Sequence, residues 1–216
     1  AGVFLLLTGV TVLMNRLDVL MLGWLRPAAE VGAYALAARA AEMATLALVA
    51  ARMPLAPRIA RAAAEGTLAG LRPRIARATW MAAGFAAAVV AGYALVGPSL
   101  LAYLDPAYQV GFPALLILGA ARVGQASAGM VVLLLNMSGH ERIPLIAMAA
   151  AVLGNAALNA WWIPLWGLTG AAAATGTALL TLHGALAMIT WRMLGIGPLG
   201  IDSARLGQAA GASHAS

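Results

Sequence analysis

The chain has 216 residues, 63% of them hydrophobic and only 9% charged, where a soluble domain carries roughly 25% charged residues. With a mean hydropathy of +0.91 it cannot clothe a globular surface in water, which leaves no room for a soluble enzyme or a DNA-binding domain. The net charge of +6 comes from 13 basic residues, all arginine, against 7 acids, and in so apolar a chain this excess points to membrane topology rather than nucleic acid.

A membrane-spanning helix needs about 20 predominantly apolar residues. Six stretches meet that length, at about 2–25, 31–53, 78–97, 112–135, 143–163 and 168–191. They predict an all-α membrane protein with one six-helix unit over residues 1–194 and a disordered tail over 195–216, rich in Gly, Ala and Ser. The chain starts at Ala1 without a basic leader or a cleavage signal, so the expectation is a C-terminal piece of a longer protein, cut just before a helix. No cysteine is present, which removes disulfides and thiolate metal sites.

The first expected span carries Arg16 and Asp18. Two residues apart, they point to nearly opposite sides of a helix, so each needs a partner elsewhere. The second carries Arg39 and Glu42, three apart and able to pair within one helix. Ionisable groups at membrane depth are costly and mark a pathway or a partner. A connector over 54–77 follows, in which Pro57 suits a helix start, while Ile59, Ala62 and Ala63 share a face between Arg58, Arg61 and Glu65. It reads either as a short amphipathic helix lying on anionic lipid or as a topological anchor with no ligand.

The fourth span holds Arg122 near its middle, with no local acid. The fifth places Asn155 and Asn159 on one face, four residues apart, and the sixth adds Thr175, Thr177, Thr181 and His183. Neutral polar groups of this kind also serve as hydrogen bonds between helices, and His183 fits a packing role. Gly170 and Ala174 form a small-xxx-small pair suited to close helix contact. No phosphate loop, metal-ligand histidine spacing or G-x-S-x-G is present, and no enzymatic activity is expected.

Arginine distribution sets the expected orientation. Arg52, Arg58, Arg61, Arg72, Arg74 and Arg77 lie in or beside the second connector, Arg142 in the fourth, and Arg192 and Arg205 after the last span. The opposite loops hold only Arg26, with Glu30 and Asp105. Loops rich in arginine stay cytoplasmic, so both ends of this multi-pass chain are expected in the cytoplasm, with the spans in a bacterial inner membrane. Trp24, Trp80, Trp161, Trp162, Trp166 and Trp191 fall near span ends, as headgroup-level tryptophans do. Tyr34, Tyr103 and Tyr108 fall likewise on the outer side.

Three arginines at depth, Arg16, Arg39 and Arg122, favour an anionic ligand, because guanidinium binds phosphate through two parallel hydrogen bonds. The alternative is that they belong to ion pairs that fix packing.

Several stretches resemble one family. Residues 15–43, NRLDVLMLGWLRPAAEVGAYALAARAAEM, contain D-x-x-M-L-G at Asp18, Met21, Leu22 and Gly23, then V-G-x-Y-x-x-A-x-R at Val31, Gly32, Tyr34, Ala37 and Arg39. LLLNMSGHER (133–142), NAALNAWWIPLWGLTGAAAAT (155–175) and the connector PLAPRIARAAAEGTLAGL fit in the same order. Together they resemble the polysaccharide-synthesis, O-antigen flippase-like branch of the multidrug/oligosaccharidyl-lipid/polysaccharide exporter superfamily, over roughly residues 2–192.

The resemblance implies the second six-helix lobe of a twelve-helix transporter, partnered by a missing N-terminal lobe. The cargo would be a lipid-linked oligosaccharide moved between leaflets, its diphosphate held by Arg16, Arg122 and Arg39. Lipid II flippase-like relatives imply a coupling site for Na+ or H+ at Asp18, Asn155, Asn159 and Thr175. Asn159 stands where an acid would be expected, and Asp18 or Glu42 would serve proton coupling equally. A drug/cation antiporter, a lipid II flippase, a membrane-embedded subunit of a glycan polymerase and a purely structural subunit are the alternatives. Besides membrane lipid, no nucleic acid or cofactor is implied.

Overall fold

The computed structural model describes residues 16–104 and 106–197, with residues 6, 9, 10, 12 and 13 before them. Most of the first half of the expected span 2–25, and the tail from residue 198, lie outside the described residues. Among the described residues the chain forms seven α-helices and two 3-10 turns. The helices are α1 (Leu17–Leu25), α2 (Ala28–Met43), α3 (Leu46–Ala64), α4 (Arg72–Leu104), α5 (Phe112–Ala128), α6 (Val131–Met137) and α7 (Arg142–Leu194).

Three stretches are long and apolar enough to cross a membrane: Leu68–Ser99, Tyr108–Ala128 and Arg142–Leu194. The pair α2–α3, bent by 45°, makes a fourth if taken as one passage. Trp24, Met53, Trp80, Met81, Leu95, Leu153, Trp161 and Trp166 all point outward. That much exposed apolar surface is stable against lipid and a liability in water.

Each departure from a straight helix coincides with a specific contact. Between α2 and α3 the Thr45 hydroxyl donates to the Glu42 carbonyl at 2.8 Å, and the backbone N–H of Thr45 reaches the same carbonyl at 3.0 Å. The expected span 31–53 therefore tightens and bends at residues 44–45 instead of running straight. The expected 112–135 span breaks at Gly129, where φ is +77° and an added Cβ would lie 2.6 Å from the Thr79 hydroxyl. Only glycine lets α4 pack that closely at a positive φ.

The connector 54–77 is not a separate helix. α3 runs through both Pro54 and Pro57 to Ala64, so Pro57 lies in a helix interior and not at a start. The two prolines forfeit the donors that would reach Ala50 and Met53. Leu48, Leu55, Ile59 and Ala62 recur at helical spacing and bury against Ile75, Ala82, Met130 and Leu134, and that burial carries the helix across the missing bonds. Ile196, placed by composition in a disordered tail, packs into the same cluster.

α7 matters most for the site. Its 53 residues would extend about 80 Å as a straight rod at 1.5 Å per residue, but Gly167 adopts φ +56° and ψ −128° inside it. There the chain folds back. An added Cβ on Gly170 would run into the Trp162 carbonyl, and the Asn155 amide bonds the Thr175 hydroxyl across a gap of 20 residues. The two limbs, 142–166 and 168–194, thus form an antiparallel hairpin, each about 37 Å or more in length, enough for a hydrocarbon core of about 30 Å.

The guanidinium of Arg26 lies over Gly167, where an added Cβ would collide with it, and Arg26 is also ion-paired to Glu30 at 3.2 Å. Gly167→Ala should lower the thermal stability of the purified protein by about 1–3 kcal/mol, the cost of a side chain in a glycine-only backbone region. Gly184→Ala, inside the second limb where nothing lies within 4 Å of the added carbon, should leave it unchanged or raise it by up to about 1 kcal/mol. Detergent-resistant unfolding followed by circular dichroism measures both, and equal effects would remove the fold-back as a constraint.

Candidate functional site

Two polar features lie in the apolar body, one reached by α1 and the other by the turn just before it. The first is a buried cluster around Asp18, which is 3% exposed. The Tyr34 hydroxyl donates to Asp18 Oδ2 at 2.5 Å, the Thr175 hydroxyl donates to the same oxygen at 3.2 Å, and the Val19 N–H donates to Oδ1 at 2.8 Å. Thr175 accepts from the Asn155 amide at 3.2 Å, and Asn155 Oδ1 accepts from the Asn159 amide at 3.0 Å. The donors run in one direction, from Asn159 through Asn155 and Thr175 onto the carboxylate. One atom is left over: Asn159 Oδ1 is buried and has no hydrogen-bond partner among the described residues.

The elements position this cluster for simple reasons. α2 turns a face of Ala33, Ala37 and Ala41 into the core, with Tyr34 fully buried among them. Small residues let α2 approach α5 and α7, where Ala114, Leu118, Ala171 and Ala172 complete the packing. The hairpin of α7 brings Asn155 and Asn159 of one limb beside Thr175 of the other. Four sequence-expected residues, Asp18, Asn155, Asn159 and Thr175, therefore meet in one place. Glu42 does not join them; it pairs with Arg39 at 3.0 Å.

Tyr34 is the residue missed. Sequence position assigned it to the outer headgroup belt, but its ring is buried and its hydroxyl satisfies the carboxylate. The available signal was its spacing from Ala37 and Ala41, three and seven residues on, which puts it on the small-residue face that packs inward.

The second feature is a cavity of about 420 Å³ lined by Val12, Arg16, Arg39, Glu42, Met43, Thr45, Leu46 and Arg122. All three arginines singled out from the sequence line it, from the turn before α1, from α2 and from α5. Three guanidinium groups stand against one carboxylate. Arg122 Nη1 donates to Gln125 Oε1 at 3.0 Å, and the Gln125 amide nitrogen contacts His183 Nε2 at 3.2 Å. The other ring nitrogen of His183 contacts the Leu179 carbonyl at 3.0 Å, so His183 is held on both sides within the helix packing.

Among the described residues no three His, Cys, Asp or Glu side chains gather closely enough to hold a metal. No family model, no curated protein and no solved structure matches the chain.

The cluster makes a firm demand on Tyr34. Tyr34→Phe keeps the ring and removes a 2.5 Å donor from a buried carboxylate, so it should cost about 1–3 kcal/mol of stability. Thr181→Ala, whose hydroxyl bonds only its own helix backbone, should cost less than half as much. Thermal unfolding of the two variants in detergent compares them directly.

Proposed function

We propose that the chain is one lobe of a transporter that moves a lipid-linked oligosaccharide, carried on a polyprenyl diphosphate, across the cytoplasmic membrane by alternating access. On this reading it is the second six-helix lobe of a twelve-helix protein of the exporter superfamily it resembles. The six passages would be drawn from α1, α2–α3, α4, α5–α6 and the two limbs of α7. The arginine-rich ends of α3 and α4 face the cytoplasm.

The observation that supports this reading most is the convergence of Arg16, Arg39 and Arg122 on one cavity. Guanidinium groups from separate elements suit a diphosphate, which offers several oxygens to planar, bidentate donors. A pump for cationic drugs would favour carboxylates in that place, and the lone carboxylate there, Glu42, is already paired with Arg39. The polyprenyl chain would remain in lipid.

Asp18 with Asn155, Asn159 and Thr175 is the proposed coupling site. Asp18 Oδ2, Asn155 Oδ1, Asn159 Oδ1 and Thr175 Oγ1 are all oxygen, the donor type that hard cations take. The free lone pairs of buried Asn159 Oδ1 fit such a cation without breaking an existing bond. One carboxylate balances one positive charge, which suits Na+ or a proton and does not suit a divalent ion.

Arg122→Ala in the full-length protein should cut transport of a polyprenyl-diphosphate oligosaccharide into proteoliposomes at least about tenfold, the loss of roughly 1.4 kcal/mol of binding. Insertion and thermal stability should be kept. Unchanged transport would overturn the cavity assignment. Asp18→Asn keeps the shape of the cluster and removes its charge. It should abolish any dependence of transport on a sodium or pH gradient, and a gradient response that persists in the variant would place coupling elsewhere.

A further inference from the structure

A second basic cavity lies between the end of α3 and the start of α4, and shares no residue with those proposed above. It encloses about 600 Å³ and is lined by Arg58, Arg61 and Arg74, with Pro57, Ala62, Glu65, Thr67, Gly70 and Leu71. α3 supplies Arg58 and Arg61, three residues apart and so on one side of the helix. The first turn of α4 supplies Arg74 across from them.

The turn between the two helices builds this arrangement. Gly66 has φ +69°, the Gly66 N–H bonds the Ala63 carbonyl at 3.4 Å and the Thr67 N–H bonds the Ala62 carbonyl at 2.8 Å. This is a Schellman closure of α3, followed by the 3-10 turn Leu68–Leu71. It reverses the chain within a few residues and sets the end of α3 beside the start of α4, with Ile59 and Ile75 buried between them.

Three exposed guanidinium groups around one cavity make a local positive field that attracts an anion. Among the described residues Arg58, Arg61 and Arg74 have no ion-pair or hydrogen-bond partner. Glu65, the acid of the lining, bridges none of them. The excess is two positive charges with the Thr67 hydroxyl alongside, while Pro57, Ala62 and Leu71 give the cavity an apolar side. The position favours one source of the anion: the cavity lies where one segment apolar enough to cross a membrane, α2–α3, ends and the next, Leu68–Ser99, begins, and in a chain that lies in a membrane such a junction falls at the level of lipid headgroups.

We propose that this cavity is a binding site for the phosphate of an anionic phospholipid headgroup, with Arg58, Arg61 and Arg74 as its ligands. The apolar side of the cavity lets the glycerol and the first acyl carbons follow the phosphate in. The site needs only that the chain lies in a membrane, so it stands or falls separately from the nature of the transported cargo.

The test is retention of phosphatidylglycerol by the full chain in detergent, measured by native mass spectrometry against phosphatidylcholine. The wild type should keep one phosphatidylglycerol and no phosphatidylcholine. The variant Arg58→Gln/Arg61→Gln/Arg74→Gln should lose that retention by about tenfold or more, given the attraction of each arginine to anionic lipid. The charge-matched variant Arg77→Gln/Arg142→Gln/Arg192→Gln, built on exposed arginines outside the cavity, should keep it. Single replacements at the same three cavity positions should each weaken retention, which decides the matter if the triple variant does not fold. Equal loss in both triple variants, or no preference between the two lipids, would overturn the site. Binding of inorganic phosphate that depends on the same arginines, without lipid retention, would overturn the headgroup assignment.

Discussion

A carboxylate buried in an apolar helical core is the constraint on which the packing depends. An isolated charge there costs several kcal/mol or more, so Asp18 is tolerable only where donors surround it. Its own helix supplies one, the Val19 N–H. The others come from α2, through Tyr34, and from the second limb of α7, through Thr175. Satisfying one acid therefore ties together elements 16 and 157 residues apart in sequence, and anything that separates α1 from either neighbour leaves a buried charge unpaired.

That arrangement is possible only because α7 reverses at Gly167. A left-handed glycine turns one apolar stretch into two antiparallel limbs, and Gly170 lets their backbones touch. Without both, Asn155 and Thr175 would lie about 30 Å apart along a single rod and the relay into Asp18 would not exist. Glycine supplies the geometry and the polar groups exploit it.

Much of this was legible in the sequence, and the rest was not for physical reasons. The apolar lengths announce helices suited to a membrane, and the spacing of Arg39 and Glu42 announces their pairing. Periodicity cannot reveal a bend whose cause is a tertiary clearance. The break at Gly129 exists because Thr79 lies against it, and nothing within residues 112–135 says so. The same holds for α3, which passes through two prolines because its opposite face buries well. Among the candidate residues, the meeting of Asp18, Asn155, Asn159 and Thr175 was suggested by resemblance rather than by spacing. The role of Tyr34 was hidden by its position near a span end, where an aromatic ring is equally at home in the headgroups.

The arginines separate by environment, and the separation carries the functional argument. Arg58, Arg61 and Arg74 line a cavity between the end of α3 and the start of α4, whereas Arg16, Arg39 and Arg122 line one beside α2 and α5. α1 and the turn before it place Arg16 in that cavity and Asp18, two residues on, in the buried cluster. A ligand shifts a conformational equilibrium only through contacts that differ between the two states. On the proposed reading, loading a cation at Asp18 competes for the carboxylate oxygen that Tyr34 and Thr175 share, and so changes what holds α1 in place. Arg16 moves with α1, which makes that short helix the mechanical link through which an ion in the cluster would alter the grip of the cavity on a phosphate. By reciprocity, the phosphate would alter the affinity for the ion by the same factor.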